Sequence, residues 1–182
     1  LLSILLCLVM CLSLVPTAAF AVDKVSFPLS ESGYYDASGK LLSETPSDHY
    51  VHYDAATKTI TMKNVAISDS HSGNISVFNL YERGTKVKVA LIGSNSITIS
   101  EGYHSVGMYT ATLEITSAEA ASLNITVKGS AGVYSHAIEC TDLTVSGKAK
   151  VSCSADFAAG NGLVYGIRVS NGTINMEDEA QL

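Results

Sequence analysis

The chain has 182 residues, a formal net charge of −6, 47% hydrophobic but only 15% charged residues, and no Trp. Two Arg against nine Lys in an acidic chain are poorly suited to holding a phosphate backbone, which argues against a nucleic-acid partner. Apolar residues run along the whole length, which argues against disorder.

Residues 1–21 carry no charge, include Cys7 and Cys11, and form a nearly unbroken apolar run that ends at Pro16-Thr17. The following Ala19-Phe20-Ala21 places small residues at −3 and −1, the pattern of a cleaved signal peptide with its cut before Val22. The expectation is a signal peptide over 1–21, hence a secreted or cell-surface protein. No later stretch of the mature part is apolar for long enough to span a membrane. Export opens two readings of Cys140 and Cys153. They form a disulfide, whose loop is worth about 3 kcal/mol in the chain-entropy model, or they are two small apolar core residues. Neither has a zinc-type spacing around it, so no metal is expected there.

Residues 22–58 read as an N-terminal capping segment. Tyr34, Tyr35, Tyr50 and Tyr53 offer either an aromatic patch or a cover for the open end of the first coil. His49 and His52 near Asp48 and Asp54, and His71 near Asp69, have no diagnostic metal spacing and read as polar loop residues.

From residue 59 the chain alternates with a period of two. Thr59-Ile60-Thr61-Met62-Lys63, Lys86-Val87-Lys88-Val89, Ser96-Ile97-Thr98-Ile99 and Leu123-Asn124-Ile125-Thr126-Val127 are short half-buried strands bounded by Gly, Asn, Ser and Asp. Only residues 117–122 (SAEAAS) look briefly helical. Repetition decides the architecture. Leu113-Glu114-Ile115 recurs as Leu143-Thr144-Val145 and again as Ile174-Asn175-Met176, at intervals of about 30 residues. Units this short bury an apolar side only by stacking. The expected fold is therefore all-β, a right-handed parallel β-helix (solenoid) of about 30-residue repeats over 59–182, cut short at the C-terminus within a coil.

The stretch Tyr53 to Ile67 (YDAATKTITMKNVAI) and the stretch Gly132 to Gly147 (GVYSHAIECTDLTVSG) resemble secreted repeat proteins of anaerobic Firmicutes. That resemblance covers roughly His49 to Leu182. It implies a pectin-lyase-like β-helix of the kind often described as carbohydrate-binding or as a cell-surface protein. Ala137-Ile138-Glu139 departs from it where Gly-Asp is more usual.

A β-helix of this kind invites a polysaccharide-degrading reading. Hydrolysis would call for paired carboxylates, and a lyase for clustered acids with a basic residue. Arg168 is the nearest candidate base and otherwise reads as a surface strand position. Glu177-Asp178-Glu179 read as a solvated turn, and His104 and His136 as exposed. No catalytic residue, metal or cofactor is expected. The site candidates are aromatic: Tyr109, Tyr134 and Tyr165, taken to occupy comparable positions in successive coils and to point outward in one row. Such a row would lie under sugar rings, or it would simply stiffen one face. The expected function is non-catalytic binding of a polysaccharide or cell-surface glycan. The alternative is a structural stalk or adhesin segment of a larger surface protein, with a polysaccharide lyase or hydrolase third.

Overall fold

In the computed structural model, the described residues are 24–81, 85–129, 134–157 and 162–182. The signal peptide expected at 1–21 lies outside them. No helix forms among the described residues, and the chain is a parallel β-solenoid of about four turns.

The strands are β1 (Gly33–Tyr35), β2 (Tyr50–Asp54), β3 (Thr59–Lys63), β4 (Ala66–Asp69), β5 (Asn74–Leu80), β6 (Lys86–Ile92) and β7 (Ser94–Ile99). They continue as β8 (His104–Thr110), β9 (Thr112–Gly129), β10 (Tyr134–Cys140), β11 (Asp142–Phe157), β12 (Leu163–Val169) and β13 (Ile174–Met176). Each coil has three sides. The first face stacks β3, β6, the first halves of β9 and β11, and then β13. The second stacks β4, β7 and the second halves of β9 and β11. The third stacks β5, β8, β10 and β12.

The recurring triplets align as the repeat requires. Leu143 pairs with Leu113 on one side and with Ile174 on the other, and Val145 with Ile115 and Met176. Stacking equivalent apolar residues coil upon coil leaves Leu113, Ile115, Leu143 and Val145 wholly enclosed, and this continuous core is what holds such a unit folded. The briefly helical pattern of 117–122 is not realised: the segment is strand within β9. Backbone pairing of Ser117, Ala121 and Ser122 with β11, and of Ser122 with β7, outweighs the helix preference of its alanines.

Corners are set by specific residues. Gly147, at φ +66°, interrupts the register of β11 where a Cβ would collide with the Ser117 carbonyl oxygen. Asn95 is buried at another corner. Its side chain accepts from Val65 N (3.1 Å) and donates toward Ile92 O (3.2 Å) and Ser122 O (3.3 Å), tying three successive coils together.

The N-terminal end is built differently. There β1, β2 and β3 pair antiparallel, and parallel stacking begins only beyond β3. Tyr35 and Tyr53 are fully buried, while Tyr34 packs on Tyr50 and His52 with ring centroids 5.1 and 4.4 Å apart. Ahead of β1, Val25, Phe27 and Leu29 enter the core, and Phe27 stacks on Phe78 at 4.7 Å. The backbone N–H of Val25 donates to buried Asp69 (2.8 Å), which also accepts from His71 N (2.8 Å). Asp69 and His71 thus serve a local turn and a strap. Asp48 and His49 are likewise engaged with Asn64, at 2.9 and 2.8 Å.

Cys140 and Cys153 are free thiols, so the disulfide reading does not hold in this structure. Cys140 occupies an inward column beside Val169, and Cys153 one beside Ile125, each replacing an aliphatic residue. Burial pushes both thiols up to about 12, which leaves them protonated and inert.

Candidate functional site

The third face departs from simple alternation, and that departure creates a groove. In β5, Val77 and Phe78 are both buried, and in β10 so are Ala137 and Ile138. These consecutive inward residues mark a kink that repeats through the stack, where Val77, Gly107, Ala137 and Gly166 drop out of the ladder without a change of register. The position of Val77 is occupied by Gly107 in β8, where a Cβ would sit 2.6 Å from Ala137 O and 2.7 Å from Ile125 Cγ2. Ala137 and Gly166 follow in the later coils, so the kink is lined by small residues there.

Outward side chains consequently form three rows with uneven spacing. One runs Asn74, His104, Tyr134, Leu163; the next runs Ser76, Val106, His136, Tyr165; the last runs Asn79, Tyr109, Glu139, Arg168. The last two rows are three residues apart instead of two, up to about 10 Å along the strand rather than about 7 Å. A surface cavity of about 350 Å³ lies over them, lined by residues that include Lys24, Asn74, Asn79, Tyr109, Tyr134 and Arg168.

The expected single row of tyrosines is corrected by this register. Tyr134 aligns with His104 and Leu163, Tyr165 with His136, and Tyr109 with Glu139. The three tyrosines therefore occupy three different rows. The tyrosine itself is the wrong anchor, because the column that fixes register is the small-residue kink of Gly107, Ala137 and Gly166 and not the aromatic beside it. Tyr109 and Tyr134 still line the same cavity. Tyr109 gains an unforeseen partner in Tyr81, whose ring stacks on it at 4.6 Å and 4° and is half-exposed. Burial, reinforced by the Glu139 carboxylate, raises the Tyr109 phenol above its ordinary value.

Arg168 is a surface strand position, as the sequence implies, on β12, and its Nη1 lies 2.7 Å from Glu139 Oε1. His136 is placed differently than its sequence context implies. His136, read as exposed, is wholly buried. Its ring lies between Tyr134 (6.1 Å) and Tyr165 (5.3 Å), and its Nε2 is 3.9 Å from Glu139 Oε2. Neither ring nitrogen has a hydrogen-bond partner. Burial pulls this imidazole below its ordinary value; Glu139 opposes that shift and Arg168 adds to it. His104, by contrast, is exposed and packs on Tyr134 at 5.4 Å.

Among the described residues no group of three or more His, Cys, Asp or Glu could hold a metal ion. No helix among them is long and apolar enough to cross a membrane. No family model, no curated protein and no solved structure matches the chain.

Proposed function

We propose that the chain is a secreted, non-catalytic β-solenoid that binds a polysaccharide or cell-surface glycan in the groove of its third face. The observation that carries this reading is the cavity of about 350 Å³ lined by Tyr109 and Tyr134 together with Asn74, Asn79 and the Glu139–Arg168 pair. Sugar rings present apolar faces bounded by hydroxyls. They are matched by aromatic rings with polar tips next to amide and charged groups. Tyr81 extends the aromatic surface at one side of the groove through its stack on Tyr109. The non-catalytic part of the reading rests on Glu139. It is the only carboxylate lining the cavity among the described residues and is held by Arg168, whereas glycoside hydrolysis generally uses two carboxylates.

A glycan array probed with the purified chain tests this. Retention of a glycan by wild type, lost on Tyr109→Ala and Tyr134→Ala, is the expected result. Tyr165→Ala, one row away and outside the cavity lining, should have the weaker effect. No retained glycan at all would favour the structural-stalk alternative, in which the stacked coils act only as a rigid spacer. Release of reducing or unsaturated sugar from an array polymer would contradict the non-catalytic reading.

A further inference from the structure

The charge of the groove runs against that of the chain. The whole chain is at −6, yet the cavity is lined by Lys24 and Arg168 against the single carboxylate of Glu139. Since Glu139 already neutralises Arg168 at 2.7 Å, Lys24 leaves the surface locally positive.

The ion pair is also arranged so that it can be exchanged. Arg168 holds Glu139 by Oε1. The other oxygen, Oε2, faces the Nε2 of His136 at 3.9 Å, and that buried imidazole has no partner on either nitrogen. A half-buried carboxylate stripped of its cation is costly unless another donor takes over. In the tautomer that carries its proton on Nε2 the imidazole is such a donor, and making that hydrogen bond would also relieve an orphaned polar group. Arg168 can therefore turn its planar donor fork to an incoming anion while His136 takes Glu139.

We infer that the groove takes a sugar carrying an anionic substituent, a carboxylate or a sulfate, with Arg168 and Lys24 as its binding cations and Glu139 as an internal competitor for Arg168. This rests on the glycan-binding reading above and names the class of glycan. It fixes an unusual sign. If Glu139 served a neutral sugar by accepting hydroxyl hydrogen bonds, Glu139→Gln would weaken binding. If Glu139 competes with the ligand for Arg168, the same change strengthens it.

The test is calorimetric titration of the full chain with alginate as the carboxylate probe, dextran sulfate as the sulfate probe, and dextran, mannan and xylan as neutral probes. At least one anionic polymer should bind about tenfold or more tightly than any neutral one, with an affinity that falls as salt is added. Glu139→Gln should tighten that binding about threefold or more, Arg168→Gln should weaken it about tenfold, and Lys24→Gln should weaken it by a few-fold. The Lys24 variant leaves the ion pair intact, and unchanged circular dichroism spectra establish that the others fold. Preference for one anionic probe over the other identifies which substituent is recognised. A neutral polymer bound best, with Glu139→Gln weakening it, overturns the inference and leaves the glycan-binding reading standing. Failure of every polymer to bind the wild type overturns both.

Discussion

The first and third faces of the solenoid are made from the same chain at the same repeat, and they solve different problems. On the first face alternation is strict. Apolar residues fill the inward positions, and in β6 the outward Lys86 and Lys88 flank Glu114 of the next coil at 2.6 and 3.6 Å. The hydrogen bond from Lys86 holds the Glu114 carboxyl below its ordinary value, the behaviour of a simple outward charge ladder. On the third face alternation breaks at the kink, and polar groups enter the interior. Among the described residues, the buried side-chain polar atoms without a hydrogen-bond partner lie on Ser76, Ser105, Thr110, Ser135 and His136 of that face, with Tyr53 the exception. Buried polar groups are normally satisfied, and clusters of exceptions mark places kept for something other than stability. The first face is the scaffold, and the third face carries the groove at some cost to packing.

This contrast can be broken by substitution. The largest effect should come from the scaffold: Leu143→Ala, fully enclosed between Leu113 and Ile174, should cost about 2–5 kcal/mol in urea unfolding. Asn95→Leu, which strands one N–H and two carbonyls at a corner, should follow at about 2–3 kcal/mol by the same measurement.

His136 supplies a pH dependence particular to the third face. An imidazole held below its ordinary value of 6.5 by burial binds its proton more weakly in the folded chain than in the unfolded one. Stability is then complete above that value and falls as the pH drops beneath it, until the folded-state value is reached. Melting temperatures followed from pH 7.5 to pH 5 should decline for wild type and decline less for His136→Gln. The carboxylates held low, such as Glu114, act in a more acidic window and leave this comparison intact. The smallest effect should be Ser135→Ala. Removing a buried hydroxyl without a partner should change stability by no more than about 0.5 kcal/mol, and in the stabilising direction.

The first face was legible in the sequence because its signal is local. Leu113, Leu143 and Ile174 repeat at about 30 residues within strict period-two runs, and they stack as that repeat demands. The third face was not. Its kink places two neighbouring residues inward, so counting parity outward from Met108 or Tyr109 fails one strand later. With parity lost, spacing alone does not separate the three tyrosines into different rows. His136 keeps its outward parity, and its burial comes from neighbours packed on its ring, Tyr134 and Tyr165 among them, which spacing does not report. The Glu139–Arg168 pair depends on a register of 29 residues where the preceding coil uses 30, a difference set by loop length. The small residues Gly107, Ala137 and Gly166 at spacings of 30 and 29 would have given the correct alignment. The strap of Val25, Phe27 and Leu29 does alternate, but Phe78, the partner of Phe27, lies 51 residues further along and only the folded chain brings them together.

Ligand recognition should belong to the third face and not to the stacked scaffold as such. Calorimetry with the tightest-binding glycan should compare Tyr109→Ala/Arg168→Gln, in the groove, with Lys86→Gln/Lys88→Gln, on the outer side of the first face. A loss of about tenfold or more for the groove variant, with the first-face variant within about twofold of wild type, is the predicted result. Equal losses from both, or a loss from the first-face variant alone, would contradict it.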